Sequence, residues 1–100
     1  MTRTRVLIAL SLLETSYPRE LSRLLGSSIS AVLKALGGLE LDGLVAGRSV
    51  GRMREVRLNP LYFAHRELAA YLARLADGDR ELRERVRELR RRPRRSGKPL

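Results

Sequence analysis

The spacing of the apolar residues changes along this chain, and the change limits the folds open to it. Between residues 3 and 42 apolar side chains recur every three or four positions, as on the buried face of a helix. Between residues 45 and 58 they alternate with charged ones, as in a half-buried strand. After residue 60 the helical period returns. The pattern therefore predicts a mainly α-helical fold with one small β-hairpin.

Turn-forming residues divide the first helical region into three short helices. We predict the first over residues 3–14, where apolar residues occupy two faces. Pro18 is typical of the first turn of a second helix, because the N–H that proline lacks has no partner there, and Gly26 ends that helix. A third helix should begin after the following serine pair and stop near Asp42. Its buried stripe is Val32, Ala35, Leu36 and Leu39.

The alternating region predicts a hairpin of two short strands. They cover residues 45–48 and 54–58, and in the second strand apolar and charged residues take opposite faces. The residues between them, 49–53, include Gly51 and can form the turn. The order of elements up to this point is therefore three helices followed by a hairpin.

Helical spacing after the hairpin predicts two more helices. Asn59 and Pro60 are typical of the cap and first residue of a fourth helix, which we expect to reach about residue 75. A fifth helix is expected over residues 80–92, before Pro93. The remaining residues have no apolar period, so we expect a mobile tail.

The composition points to a polyanionic partner. Twenty-one Lys and Arg against 11 Asp and Glu give this 100-residue chain a formal net charge of +10. Such a field attracts nucleic acid first and acidic membranes second, unless the arginines reflect codon usage alone. Only Lys34 and Lys98 are lysines. Arginine suits phosphates and guanine edges, because its planar fork can donate two hydrogen bonds at once.

Other function classes find little support in the sequence. No cysteine is present, which excludes disulfides and thiolate metal sites, and the single histidine, His65, is typical of a surface or interface position. No nucleophile with a paired base, phosphate loop or grouped carboxylates is recognisable, so we predict that the chain is not an enzyme. The longest apolar run, residues 6–13, is too short for a membrane span and lacks a cleavage site. We expect a cytoplasmic protein.

Four segments follow one another at short intervals between residues 18 and 60: PRELSRLLG, SSISAV, LELDGLV and VGRMREVRLNP. In this order they resemble the winged helix-turn-helix regulators of the ArsR and MarR type. The resemblance implies a mainly α fold with a small β-hairpin wing, followed by one or two C-terminal helices. It also implies a sequence-specific, double-stranded DNA-binding transcriptional regulator, a repressor, acting as a homodimer. Residues 1–59 would bind DNA, residues 60–92 would serve dimerisation, and residues 93–100 would form a basic flexible tail.

The resemblance further implies which side chains contact DNA. In that family the third helix lies in the major groove, and its N-terminal half touches base edges. At those positions this chain has Ser28, Ser30, Ala31, Leu33 and Lys34. The wing would bring to phosphates or the minor groove Arg48, Arg52 and Arg54. Secondary candidates for phosphate contacts on the second helix are Arg19 and Arg23.

This chain departs from the family at two points. Gly37 and Gly38 stand where many of these regulators carry polar or charged residues, and each glycine costs a helix roughly 1 kcal/mol relative to alanine. We expect a kink there, or the close approach of a partner backbone. The chain also lacks the Cys and His pairs of metal-sensing relatives, so no metal and no cofactor are expected.

Apolar stripes on the first and fourth helices predict a homodimer interface. The first helix has a second apolar stripe, and the fourth has a larger stripe than one small domain needs to cover. The residues concerned are Ile8, Leu12, Leu68, Tyr71, Leu72 and Leu75. A two-fold pair of this kind would read an inverted repeat of DNA.

Two alternatives remain for the function, and two for the basic C-terminus. A winged helix can also dock an acidic protein partner, and a basic chain can bind RNA or DNA through charge with little sequence readout. From Arg90 onward the charged residues are all cations. They form either a solvated tail or an arm that neutralises phosphates beside the main site.

Overall fold

The computed structural model describes residues 2–91, and within that range the chain forms five helices and a two-stranded antiparallel sheet. In chain order the elements are α1 (Thr2–Leu13), α2 (Pro18–Leu25), α3 (Ile29–Leu41), β1 (Val45–Val50), β2 (Met53–Leu58), α4 (His65–Asp77) and α5 (Arg80–Arg91). This confirms the predicted mainly α fold with a hairpin after the third helix. The tail predicted over residues 93–100 lies outside the described residues.

The start and end signals of α2 and α3 act as predicted. Pro18 occupies the first turn of α2, and Gly26 closes that helix in the left-handed conformation, with φ +65°. The hydroxyl oxygen of Ser28 then caps α3 by accepting a hydrogen bond from the backbone N–H of Ala31 at 3.1 Å. Short-range chemistry therefore fixes the turn between these two helices.

The two glycines of α3 do not interrupt the helix, which continues through both positions. An added Cβ at Gly37 would meet nothing within 4 Å. At Gly38 it would lie 3.6 Å from the Cζ atom of Arg3, an ordinary van der Waals distance. Helix α3 therefore runs from Ile29 to Leu41 without interruption. At the exposed Gly37 no side chain projects from the helix.

The hairpin is longer and its turn tighter than predicted. Val50 pairs with Met53, so the turn has two central residues rather than five. The first of them, Gly51, has φ +64°, and Arg52 after it does not have a positive φ, as in a type II′ turn. The backbone of Ser16, between α1 and α2, also bonds to Val56. The hairpin is thereby tied to the helices at its base.

Helix α4 begins five residues later than predicted. The side chain of Asn59 accepts a hydrogen bond from Leu61 N at 3.0 Å and donates one to the carbonyl oxygen of Gly43 at 2.9 Å. Tyr62 N donates to Asn59 O, and His65 N donates to Tyr62 O, so residues 60–64 form successive turns. The cap-like Asn59 therefore fixes a loop, because its amide has a distant partner.

One core joins all the described elements. Helix α1 packs against the other four helices and β2, which explains why it is apolar on two faces. Helix α5 closes the core with Leu82 and Val86. The largest fully buried apolar residues are Leu10, Leu21, Leu39, Leu72, Leu82, Val6, Val32 and Val56. The hairpin and the two C-terminal helices therefore contribute to the same hydrophobic core.

Within residues 2–91 none of the helices is long and apolar enough to cross a membrane alone. Helices α2 and α3 together have the length and composition of a span, but a bend of 119° separates them.

Candidate nucleic-acid interface

The outer face of α3 is the centre of the candidate interface. Its inner face, which includes Val32 and Leu36, is buried in the core. On the opposite side Ser30, Leu33 and Lys34 are exposed, Leu33 by 52%. Helix α3 therefore offers solvent a hydroxyl, an aliphatic side chain and an ammonium group, in the N-terminal half where base contacts were predicted.

Two of the five predicted base-contact residues take part in the N-terminal cap of α3, Ala31 through its backbone only. Ser28 is exposed, but its hydroxyl oxygen caps α3. Ala31 is half-buried and supplies the N–H that this cap binds. Hydrogen bonding to a ligand at this face therefore falls mainly to Ser30 and Lys34.

Arginines of α2 flank the start of α3. Arg19 and Arg23 lie one turn apart on the exposed face of α2. They line a shallow cleft of about 300 Å³ together with Ser22 and Ile29, the first residue of α3. Within residues 2–91 neither guanidinium takes part in a hydrogen bond or ion pair. Two positive charges therefore stand beside the N-terminus of α3.

The three wing arginines differ in their surroundings. Arg48 pairs with Glu55 on the neighbouring strand, 3.1 Å from Nε to Oε1. Arg54 pairs with Glu40 of α3. Arg52, at the turn, is exposed and forms no such bond within the part of the chain that the structure describes. Of the three, Arg52 is the one best placed to meet an external anion.

The ion pair between Glu40 and Arg54 joins the wing to α3, and the guanidinium of Arg54 lies against Gly47. A Cβ at Gly47 would lie 2.7 Å from the Nη2 atom of Arg54, so the guanidinium occupies space that any other residue would fill. The sequence analysis did not identify Glu40, because 14 residues separate it from its partner. The pair is an ion-pair contact between α3 and β2.

The C-terminal end of α2 is held by two arginines that the sequence analysis also missed. Arg5 of α1 donates to Leu25 O at 3.0 Å, and Arg85 of α5 donates to Leu24 O at 2.9 Å. These carbonyls have no partner inside their own helix. The helix-turn-helix is therefore anchored from two sides by residues that lie far from it in the sequence.

The structure corrects part of the predicted dimer interface. Ile8 and Leu72 are 6% and 1% exposed, because α1 and α4 pack against each other within one chain. Neither is accessible to a second copy. Leu12, Leu68 and Leu75 are half-buried and pack against the core. Tyr71 is 61% exposed.

Within residues 2–91 no group of three or more His, Asp or Glu side chains could hold a metal ion. His65 is half-buried at the start of α4, and its Nδ1 atom is buried without a hydrogen-bond partner.

Solved structures with the same fold include bacterial regulators. The adhesin competence repressor AdcR from Streptococcus pyogenes matches with a TM-score of 0.65 and 21% identity over 95% of this chain and 67% of AdcR. A His-tagged form of AdcR gives a TM-score of 0.63 and 19% identity, covering 85% of this chain and 63% of AdcR. A variant of ZitR from Lactococcus lactis gives 0.64 and 20%, covering 88% of this chain and 57% of ZitR.

These similarities show the fold. Helices α2 and α3 form the helix-turn-helix and β1 and β2 form the wing, so the chain has the winged helix-turn-helix architecture. It spans a little under two-thirds of the His-tagged AdcR chain. No protein-family model and no curated protein sequence matches the chain.

Proposed function

We propose that this protein is a sequence-specific, double-stranded DNA-binding transcriptional regulator of the ArsR and MarR type that acts as a homodimeric repressor in the cytoplasm. The observation that carries the proposal is the exposed outer face of α3, with Arg19 and Arg23 beside its first residue and Arg52 exposed at the wing turn, all three unpaired within residues 2–91. The fold shared with a protein named as a repressor supports the same function. Residues 1–59 bind DNA, and residues 60–92 serve dimerisation.

In this proposal α3 enters the major groove. Ser30 and Lys34 form hydrogen bonds with base edges, and Leu33 contacts a thymine methyl group. The arginines of α2 bind phosphates at the N-terminal end of α3, and Arg52 binds a phosphate or enters the minor groove. Two copies related by a two-fold axis place their α3 helices about one turn of DNA apart.

Selection of genomic DNA fragments by the full chain, followed by sequencing, tests this function. We expect a few fragments that share an inverted repeat, bound in preference to random duplex at both low and raised salt concentration. Binding that is equal for all fragments and falls equally with salt would contradict sequence-specific regulation.

A second candidate is nucleic-acid binding with low specificity. It is favoured by the small number of hydrogen-bonding groups on the outer face of α3, where Ser28 already caps the helix. This candidate predicts similar affinities for random duplex, genomic fragments and single strands, with a steep dependence on salt. The same selection experiment therefore separates the two candidates.

A further inference from the structure

One exposed stripe of α4 has a self-complementary order of side chains. Residues three, four and seven positions apart lie on the same side of a helix. The stripe consists of Glu67, Ala70, Tyr71 and Arg74, all exposed. The opposite side of α4 faces the core through Leu72 and Ala76. Along the outward side the helix therefore presents an acid, a small residue, an aromatic ring and a base, in that order.

We infer that two copies of this chain pair through this stripe, with their α4 helices antiparallel; the inference rests on the homodimer of the proposed function. A two-fold axis midway between Ala70 and Tyr71 brings each tyrosine onto the alanine of the other copy. The same axis places Glu67 of each copy opposite Arg74 of the other. One stripe thus supplies both halves of its own interface.

Charge makes this face suitable for a second copy. A chain with a net charge of +10 repels a copy of itself, so contact is favoured at a surface on which opposite charges meet. The stripe carries one acid and one base, and within residues 2–91 neither Glu67 nor Arg74 forms an ion pair. Two reciprocal pairs between the copies would satisfy all four groups.

Apolar burial favours the same face. Tyr71 is 61% exposed in the single chain. Tyrosine is enriched in interfaces because its ring buries a large apolar area while its hydroxyl group can stay hydrated. Leu68 and Leu75 are half-buried at the edge of the stripe and would be covered further. Because α4 has its extended contacts with α1 and α5 rather than α3, this pairing leaves the outer face of α3 open to DNA.

The neighbouring stripe of α4 is a competitor on the same helix. It consists of Arg66, Ala70, Ala73 and Asp77, which are also exposed and also place a base and an acid at opposite ends. It carries no side chain larger than alanine between its charges. The gain from apolar burial is therefore smaller there than around Tyr71.

Charge reversal and charge exchange test the pairing. Sedimentation equilibrium would be measured for the full chain and for Glu67→Arg, Arg74→Glu and the double exchange. We expect the full chain to be a dimer, each single variant to raise the dimer Kd at least about tenfold because two like-charge pairs form, and the double exchange to restore it. An equimolar mixture of the two single variants should form a heterodimer. Circular dichroism checks that each variant stays folded.

Arg66→Glu is the matched control, since it reverses a charge on the same helix outside the stripe. It should leave the dimer intact. A dimer that dissociates in this variant alone would overturn the inference in favour of the neighbouring stripe that contains Arg66 and Asp77. If neither single variant changes the dimer Kd, this interface is wrong, but the proposal that the protein is a homodimer stands. If the full chain is a monomer that still selects a DNA fragment, the pairing is wrong but the DNA-binding function stands. If it is a dimer with no affinity for DNA, the DNA-binding function is wrong but the pairing stands.

Discussion

Arginine is abundant both in α5 and in the region from α2 to the wing, but the two groups have different partners. In α5 three arginines donate hydrogen bonds to carbonyls at the C-terminal ends of other helices: Arg83 to Ala76 O at 3.1 Å, Arg85 to Leu24 O at 2.9 Å and Arg90 to Leu12 O at 2.6 Å. Such carbonyls lack partners within their helix, and cations are favourable there. Helix α5 therefore ties the ends of α4, α2 and α1 together.

The arginines of α2 and of the wing turn have no such role within residues 2–91. Arg19 and Arg23 stand exposed beside the start of α3, and Arg52 is exposed at the wing turn. The comparison shows that a dense run of cations does not by itself indicate a nucleic-acid site. It also shows that Arg90, the first residue of the predicted phosphate-binding arm, donates a hydrogen bond to Leu12 O at the end of α1. Arg91 lies 3.9 Å from Glu88, and residues 92–100 of the predicted arm lie outside the described range.

Removing the three exposed arginines should have the largest effect. Hydrogen bonds to charged groups contribute about 1.5–3 kcal/mol each, so Arg19→Ala, Arg23→Ala and Arg52→Ala together should lower affinity for every duplex by about 100-fold or more. The slope of log affinity against log salt should shrink by about 0.9 for each phosphate that the variant no longer neutralises. Fluorescence anisotropy with labelled duplexes at several salt concentrations measures both. An unchanged slope would show that these arginines do not bind phosphates.

Base reading can be separated from phosphate binding within the same surface. Ser30→Ala with Lys34→Ala should reduce the ratio of selected to random duplex affinity by about tenfold, since a good base contact is worth roughly 1–3 kcal/mol. The salt slope should change less than in the triple variant. Competition binding with the two duplexes gives the ratio, and a double variant with an unaltered ratio would mean that α3 does not read bases.

The α5 group should affect stability rather than DNA binding. Arg85→Ala removes the hydrogen bond to Leu24 O, and because the arginine side chain is 41% exposed we expect a decrease of about 1 kcal/mol in the free energy of unfolding. Arg80→Ala, on the same helix and without a bond in the described range, should change it by less than about 0.5 kcal/mol. Urea unfolding compares the two variants. Equal stability would show that the Leu24 hydrogen bond contributes nothing.

The smallest effect concerns Arg54, a wing arginine with an internal partner like those of α5. Glu40→Gln removes an acid from the interface and releases Arg54, so affinity for all duplexes should rise about twofold to threefold as one cation becomes available. Glu84→Gln, which releases Arg87 on α5, is the control and should leave DNA affinity unchanged. A fall in affinity for Glu40→Gln would indicate that the ion pair positions the wing.

Local signals explain what the sequence analysis predicted and where it failed. Pro18, Gly26 and Ser28 act on backbone groups within a few positions, and the boundaries they predict are confirmed. Asn59 carries the same kind of capping signal, but its amide bonds to Gly43, 16 residues earlier, so the chain turns there instead of starting a helix. The outward positions of Ser30 and Lys34 follow from the helical period alone.

The sequence by itself determined the order of the elements and the outer face of α3, because capping and periodicity act over about one helical turn. Only the tertiary structure decided which arginines remain available. The carbonyls that bind Arg85 and Arg90 lie 61 and 78 residues away along the chain. The packing of α1 against α4, which hides Ile8 and Leu72 inside one chain, was likewise decided by elements far apart in sequence. No pattern of neighbouring residues encodes such contacts, because they exist only once the helices have packed.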